Sequence, residues 1–280
     1  MAYFWVNEAQ QYLQGPGFGS ELPGANHRMQ PVRINQWAAD NSFLTDKKAE
    51  IRLGKGGVDN AEDTEDTEDT EVVVHEYGHA VHHAQAPGFA SSMETGSIGE
   101  ALGDYPAVAV DEHAAPPYGR PLKADVACVA CAADWDSVTH SNAPHCLHRI
   151  NSDQTHADRI SKVHTDSEIW SRAPPDIHTT PGPRIADQIT VNAQFGFSPD
   201  TSFTAAAQTT VATTQKKHGK TTANPARTAL QTQAIPRPTR HPALTSHTAL
   251  NSHTTTRSRP AHCPQNRGRP GRRPQNGRGE

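Results

Sequence analysis

The residues His75-Glu76-Tyr77-Gly78-His79 can do chemistry that few other stretches of this chain could. Two imidazoles four positions apart lie on one face of a helix, so both can reach one metal ion. The glutamate between them is held beside that metal, where a base for an attacking water is needed. Such a set of groups suits zinc-assisted hydrolysis of an amide bond. The apolar runs Val72-Val73-Val74 and Ala80-Val81 flank the motif, as expected of a helix set into a core. The plain alternative is a surface helix with two unrelated histidines. The chain has 17 histidines, and roughly 3% of chains this long would carry H-E-x-x-H by accident. A third ligand therefore has to decide.

A glycine at position 82 with a histidine at 85 would complete a three-histidine site. The chain has His82 and Gln85, which closes that route. A carboxylate from a following helix is the other solution. Gly99-Glu100-Ala101-Leu102-Gly103-Asp104 supplies one, 21 residues beyond His79. Glu100 and Asp104 are four apart and share a helix face. Glu100 can then bind the metal while Asp104 stands behind and accepts from a ligand imidazole. The expected ligands are His75, His79 and Glu100, with a fourth position open. Glu76 is the expected general base, and Tyr77 reads as packing.

At these residues the chain resembles the gluzincin metallopeptidases, the thermolysin and fungalysin group, and most nearly the fungalysin-like branch. The resemblance rests on His75-Glu76-x-x-His79 followed by Glu100-x-x-x-Asp104, and it extends in both directions. Asn41-Ser42-Phe43 is similar to the Asn-Ala-Phe segment lining the substrate cleft in thermolysin-like enzymes. Ile51-Arg52-Leu53-Gly54-Lys55-Gly56 resembles the strand before the zinc helix. Val163-His164-Thr165-Asp166-Ser167-Glu168-Ile169-Trp170-Ser171 resembles a fungalysin-like stretch, His-x-Asp-Gly-Glu-Ile-Trp, with Ser167 where that group has glycine. The likeness spans residues 2–229, with its motifs in the family's order.

What the resemblance implies is an α+β zincin fold, with a mainly helical C-terminal lobe and the zinc helix at the cleft between lobes. It also implies zinc as cofactor, a polypeptide as partner and secretion as destination. His164 would donate to the oxyanion of the tetrahedral intermediate. Asn41 and the backbone of Ser42 would pair with an extended substrate. Two functions follow: a zinc-dependent metalloendopeptidase, or a non-catalytic remnant that binds zinc without turnover.

The elements that must position these groups are legible in outline. Tyr3, Phe4, Val6 and Leu13 predict a helix over 2–13, and 15–35 reads as loop. A strand is expected at 51–53 and the zinc helix over 72–84. The helix carrying Glu100 and Asp104 is expected over 97–110, with a kink at Pro106, where an interior proline costs about 3 kcal/mol. A helix over 166–177 should end early at Pro174-Pro175, and another spans 205–217. The domain expectation is a zinc-helix lobe over 1–112, a helical lobe over 113–223 and a low-complexity basic tail over 224–280.

Charge supports that division. From Gln215 onward the chain has 13 Lys and Arg against one acid, Glu280, a balance of +12. The rest carries 13 basic against 29 acidic residues, a balance of −16. The tail is rich in Thr, Pro, His and Arg and lacks aromatic residues, so disorder is expected there. Without aromatics to stack on bases, nucleic acid is not the expected partner. Glu-Asp-Thr occurs three times at 62–70, which reads as a self-repelling loop, a slippage insert in preference to a calcium site. Mean hydropathy is −0.73, low for a compact chain of this size. No apolar run could span a membrane and no signal peptide opens the chain. The chain therefore reads as a truncated copy; a monomer is expected. Of four cysteines, Cys128 or Cys131 is expected to bridge Cys146, as in secreted relatives; a structural zinc site is the alternative. Cys263 is expected to be unpaired.

Overall fold

A computed structural model of the chain describes residues 1–36, 41–54, 70–89, 91–118, 130–133, 146–178, 181–233 and 235. It is a mixed helix and sheet fold. Helix α1 spans Ala2–Gln14, α2 Thr70–Gln85, α3 Met93–Ala114, α4 Val163–Ser171, α5 Ala173–His178, α6 Pro183–Ala193 and α7 Phe203–Thr232. Strands β1 (Val32–Arg33), β2 (Ser42–Thr45) and β3 (Glu50–Leu53) form one sheet in the order β1-β3-β2. β1 runs parallel to β3, and β2 antiparallel to it with Ser42 opposite Leu53. A second, two-stranded sheet pairs β4 (Cys131–Ala132) with β5 (His148–Arg149).

Two apolar cores flank the α2–α3 pair. Trp5, Leu13, Ile51, Leu53, Val73 and Val74 pack α1, the sheet and one side of α2 together. Ile98, Leu102, Ile169, Trp170, Phe197 and Phe203 join the other side of α3 to α4 and α7. Val73 and Val74 are fully buried, which seats α2 in the middle of the molecule. α1 forms where its apolar spacing predicts a helix, and its aromatic residues do not all lie on the buried side. The helix buries Ala2, Trp5, Ala9 and Leu13, while Tyr3 is 83% exposed. The 3.6-residue period runs through Trp5 and the alanines, not through Tyr3 and Phe4.

α3 begins with a capping box. Ser92 Oγ accepts from the Thr95 amide at 3.2 Å and Thr95 Oγ1 accepts from the Ser92 amide at 2.8 Å. Such a cap is worth about 1 kcal/mol, and it sets the phase of the helix that carries Glu100. Pro106, where a kink is expected, lies inside α3, which runs on from Met93 to Ala114. The carbonyl that proline cannot bond, that of Leu102, faces Gly78 on α2, and the Pro106 ring packs on the same glycine.

The helix expected over 166–177 is two helices. α4 ends at Ser171, and α5 starts at Ala173 with Pro174-Pro175 in its first turn, where proline is tolerated. Ser167 is fully buried and its hydroxyl donates to the His164 carbonyl at 2.7 Å. The helix expected to stop at 217 continues as α7 to Thr232, turning at Gly219, whose φ of 81° suits glycine. Ala223, Ala226 and Leu230 are buried, so the packed chain extends beyond the expected tail boundary at 224. α3 likewise crosses the expected boundary at 112. The Glu-Asp-Thr repeat up to residue 69, Cys128, Cys263 and residues 236–280 lie outside the described residues.

Cys146 bonds to Cys131, 15 positions away, and this bridge closes the loop that holds β4 against β5. In the chain-entropy view a loop of that length contributes about 3 kcal/mol. Replacing both cysteines by alanine is expected to lower unfolding free energy by about that amount in urea titrations. An unchanged midpoint would show that β5 is held without the bridge.

Candidate metal centre

The closest approach of α2 and α3 is built on glycine. A Cβ at Gly78 would lie 2.8 Å from the Gly103 Cα and 2.9 Å from the Leu102 carbonyl oxygen. A Cβ at Gly103 would lie 2.8 Å from Nδ1 and Cε1 of His75. Only two residues without side chains let these backbones meet so closely. That approach carries Glu100 and Asp104, one on each side of Gly103 on the same helix, into reach of His75.

His75 Nε2 lies 3.3 Å from Glu100 Oε2, and His79 Nε2 lies 3.8 Å from the same oxygen. The two imidazoles are edge to face with ring centres 4.6 Å apart. A cation bound about 2.0–2.1 Å from tetrahedrally disposed donors places them about 3.4 Å apart. The observed separations fit that spacing, and the three donor atoms lie within 4.8 Å of one another.

Asp104 lies behind them, fully buried. Its Oδ1 accepts from His75 Nδ1 at 3.0 Å and from His148 Nδ1 at 2.9 Å, and its Oδ2 accepts from the Ser171 hydroxyl at 3.1 Å. A carboxylate only accepts, so the Nδ1 of each histidine must donate, and in the neutral ring the lone pair is left on Nε2. His148 sits on β5 and escaped the sequence reading. It belongs to no helical spacing, and the one local signal was its position two residues after Cys146.

His164, at the start of α4, has Nδ1 3.3 Å from Glu100 Oε2 and is 70% exposed. Its ring stacks on that of His148, with centres 5.2 Å apart and planes 22° apart. His75, His79, Glu100, Asp104 and His164 thus converge on one place. They open onto a cleft of about 1190 Å³ that Glu76 also lines. Glu76 is buried. Asn41 and Ser42 lie on the same cleft, at the β2 side. Among the described residues β2 is the edge of its sheet. His82 continues the His75–His79 face and lines the cleft beside Phe89, with Nδ1 3.1 Å from Gln194 Oε1.

The electrostatics are asymmetric. Burial opposes a charge on His75, but its hydrogen bonds to Asp104 and Glu100 outweigh it and raise its pKa well above the usual value. For His79, burial prevails, with repulsion from His75 added, and the pKa falls to about 4. Burial also takes His82 to about 4. Burial works against ionising Glu100 and Asp104, yet the facing histidines hold both carboxyls well below their ordinary range. The hydrogen bond to Glu100 raises His164. The two carboxylates thus make a well for one positive charge at His75 Nε2, the side from which a cation would be bound.

In fold the chain is similar to the precursor of protealysin, a metalloproteinase from Serratia proteamaculans. The TM-score is 0.65 at 16% sequence identity, over 84% of this chain and 77% of that one. The chain therefore has a metalloproteinase type of fold. No protein-family model matches it, and no curated protein does.

Two outcomes follow. Gly103→Ala places a methyl against a His75 ring that Asp104 holds in place, and is expected to weaken any divalent-cation binding at this centre about 10–100-fold, as for loss of an orienting partner. Competition with a chromogenic chelator measures this, and wild-type affinity would show that the helices can separate without cost. The second concerns pH. Histidines of the unfolded chain titrate near 6.5, so between about pH 6.5 and 4 it takes up protons that His79 and His82 refuse. Their contribution to stability is full above about pH 6.5 and is lost as pH falls toward 4. The depressed carboxyls of Asp104 and Glu100 extend the loss below about pH 4, while the raised His75 loses its contribution as pH rises above about 6.5. The metal-free protein should therefore have its highest Tm near pH 6.5 and lose stability steadily on acidification. A flat Tm between pH 6.5 and 4 would contradict neutral burial of His79 and His82.

Proposed function

We propose that the protein is a zinc-dependent metalloendopeptidase. The observation that carries this reading is the convergence of His75, His79 and Glu100 at metal-binding separations inside a cleft that Glu76 lines. Two imidazoles and one carboxylate with room for a further ligand favour zinc over magnesium or calcium, which prefer all-oxygen sites. Bound there, zinc would supply polarisation of the scissile carbonyl and a lowered pKa for water.

The remaining work falls to the chain's own side chains. Glu76 takes the proton of the attacking water on its carboxylate and returns it to the leaving nitrogen. His164 supports the oxyanion: its hydrogen bond to Glu100 raises its pKa and so favours the protonated ring, and with Nδ1 turned toward Glu100 the Nε2–H is the donor left over. The β2 edge offers backbone groups to an extended peptide, with Asn41 and Ser42 at its start. In this reading a zinc-helix lobe and a helical lobe face each other across the cleft, as the fungalysin-like motif at 163–171 suggests, and the working place is outside the cell. No helix among the described residues is long and apolar enough to cross a membrane.

Casein hydrolysis by the zinc-loaded protein tests the proposal. Wild type is expected to be active and to lose activity with a chelator. Glu76→Gln should keep its zinc and lose about 10²–10⁴-fold in kcat. His164→Ala should lose about 10²-fold. Zinc bound without hydrolysis in wild type would favour the non-catalytic alternative, and absence of zinc would remove both.

A further inference from the structure

Asp104 orients two imidazoles, and the centre described above uses one of them. We propose that Glu100, His148 and His164 form a second divalent-cation site, joined to the first through the Glu100 carboxylate. The inference rests on the reading of His75, His79 and Glu100 as the first site.

Three observations carry it. The first is tautomeric. His148 Nδ1 donates to Asp104 Oδ1 at 2.9 Å, beside His75 Nδ1 at 3.0 Å on the same oxygen. A buried carboxylate that takes the Nδ1–H of an imidazole fixes its lone pair on Nε2, which is how metal-binding histidines are prepared. His148 receives the same preparation as His75. The second is spacing. His164 Nδ1 is 3.3 Å from Glu100 Oε2, the same separation as between His75 Nε2 and that oxygen. One donor atom from each of Glu100, His148 and His164 falls within 4.8 Å of the others. The third is access. The His148 side chain is 6% exposed and held in place, while His164 is 70% exposed at the cleft. One ligand is rigid and the other lies open to solvent, which gives a cation a way in.

The two sites would share a plan: two imidazoles and Glu100 each, with one imidazole of each oriented by Asp104. A carboxylate can bridge cations about 3.5–4 Å apart. Two nitrogen donors select zinc, cobalt or nickel over calcium or magnesium. Coordination through His164 Nδ1 would take the place of the proton that Nδ1 shares with Glu100, and the neutral ring keeps its Nε2–H, so the donor assigned to the oxyanion remains.

Metal-free full-length protein is dialysed against zinc and, separately, against cobalt, and bound metal is counted by mass spectrometry. Two equivalents are expected for wild type, the second weaker. His164→Ala and His148→Ala are each expected to weaken the second at least 10-fold and to keep the first. His75→Ala/His79→Ala is expected to lose the first. With two cobalt ions on one carboxylate, the electron paramagnetic signal per ion should fall as the second equivalent binds, and it should not fall in His164→Ala. A single equivalent in wild type, lost only in His75→Ala/His79→Ala, would overturn this proposal and leave the first site standing. No bound metal would overturn both. A second equivalent that survives both single replacements lies elsewhere among the chain's histidines and also overturns it. His164 is exposed, so its replacement spares the core, and that arm decides if His148→Ala fails to fold.

Discussion

One buried carboxylate sets the terms for the rest of this structure. Asp104 is ionised with no exposure to solvent, a state that is costly unless every oxygen is matched by donors. It is matched by three: His75 from α2, His148 from β5 and Ser171 from the end of α4. Removing one partner from such a buried charge costs about 3–5 kcal/mol, so these elements are pinned to α3 by chemistry as well as by apolar packing. The demand propagates into sequence. For His75 to reach Asp104 the two helices must nearly touch, and this is why Gly78 and Gly103 face each other across them. The Pro106 ring and the Leu102 carbonyl it cannot bond fill the remaining gap against Gly78.

The parts of this arrangement that were legible in the sequence are those that a helix translates directly. His75 and His79, and Glu100 and Asp104, are four residues apart, and a 3.6-residue period puts each pair on one face whatever surrounds it. What helical spacing cannot express was not legible. His148 reaches Asp104 through a strand of two residues, held in place by a bridge whose other end is far away in sequence. The choice of Cys131 as that end depends on the pairing of β4 with β5, which no local pattern announces. The helix over 2–13 was legible, but which of its faces is buried was not, because small residues carry much of that face. Ala2, Ala9 and Trp5 mark the buried face because close packing against α2 needs small side chains beside one large one. Pro106 was expected to kink its helix, since its usual penalty comes from a lost hydrogen bond and a clash. Here the carbonyl left over lies where the neighbouring glycine makes room.

The asymmetry between His75 and His79 follows from the same carboxylate. His75 faces Asp104 and Glu100 together and is drawn toward the charged form, while His79 shares only Glu100 and is kept neutral by burial. A proton on His75 balances the carboxylates in the absence of metal, and a divalent cation must displace it. Binding would thereby be coupled to pH near neutrality at His75 and only in acid at His79, although the motif treats the two histidines as equivalents.

In the proposed function, holding a metal and turning over a peptide would depend on different parts of the molecule. All three proposed ligands of the first centre stand on α2 and α3, whose contact is fixed by glycines and by Asp104. The groups assigned to the substrate stand elsewhere: His164 on α4, which belongs to the core on one side of the helix pair, and Asn41 and Ser42 at β2, which belongs to the core on the other. A change that loosens either outer layer would move these groups away from the ligands without disturbing the ligands themselves. Metal affinity and hydrolytic rate can therefore part company in this scaffold. A chain that keeps His75, His79, Glu100 and Asp104 intact would retain its cation long after losing the alignment needed for catalysis.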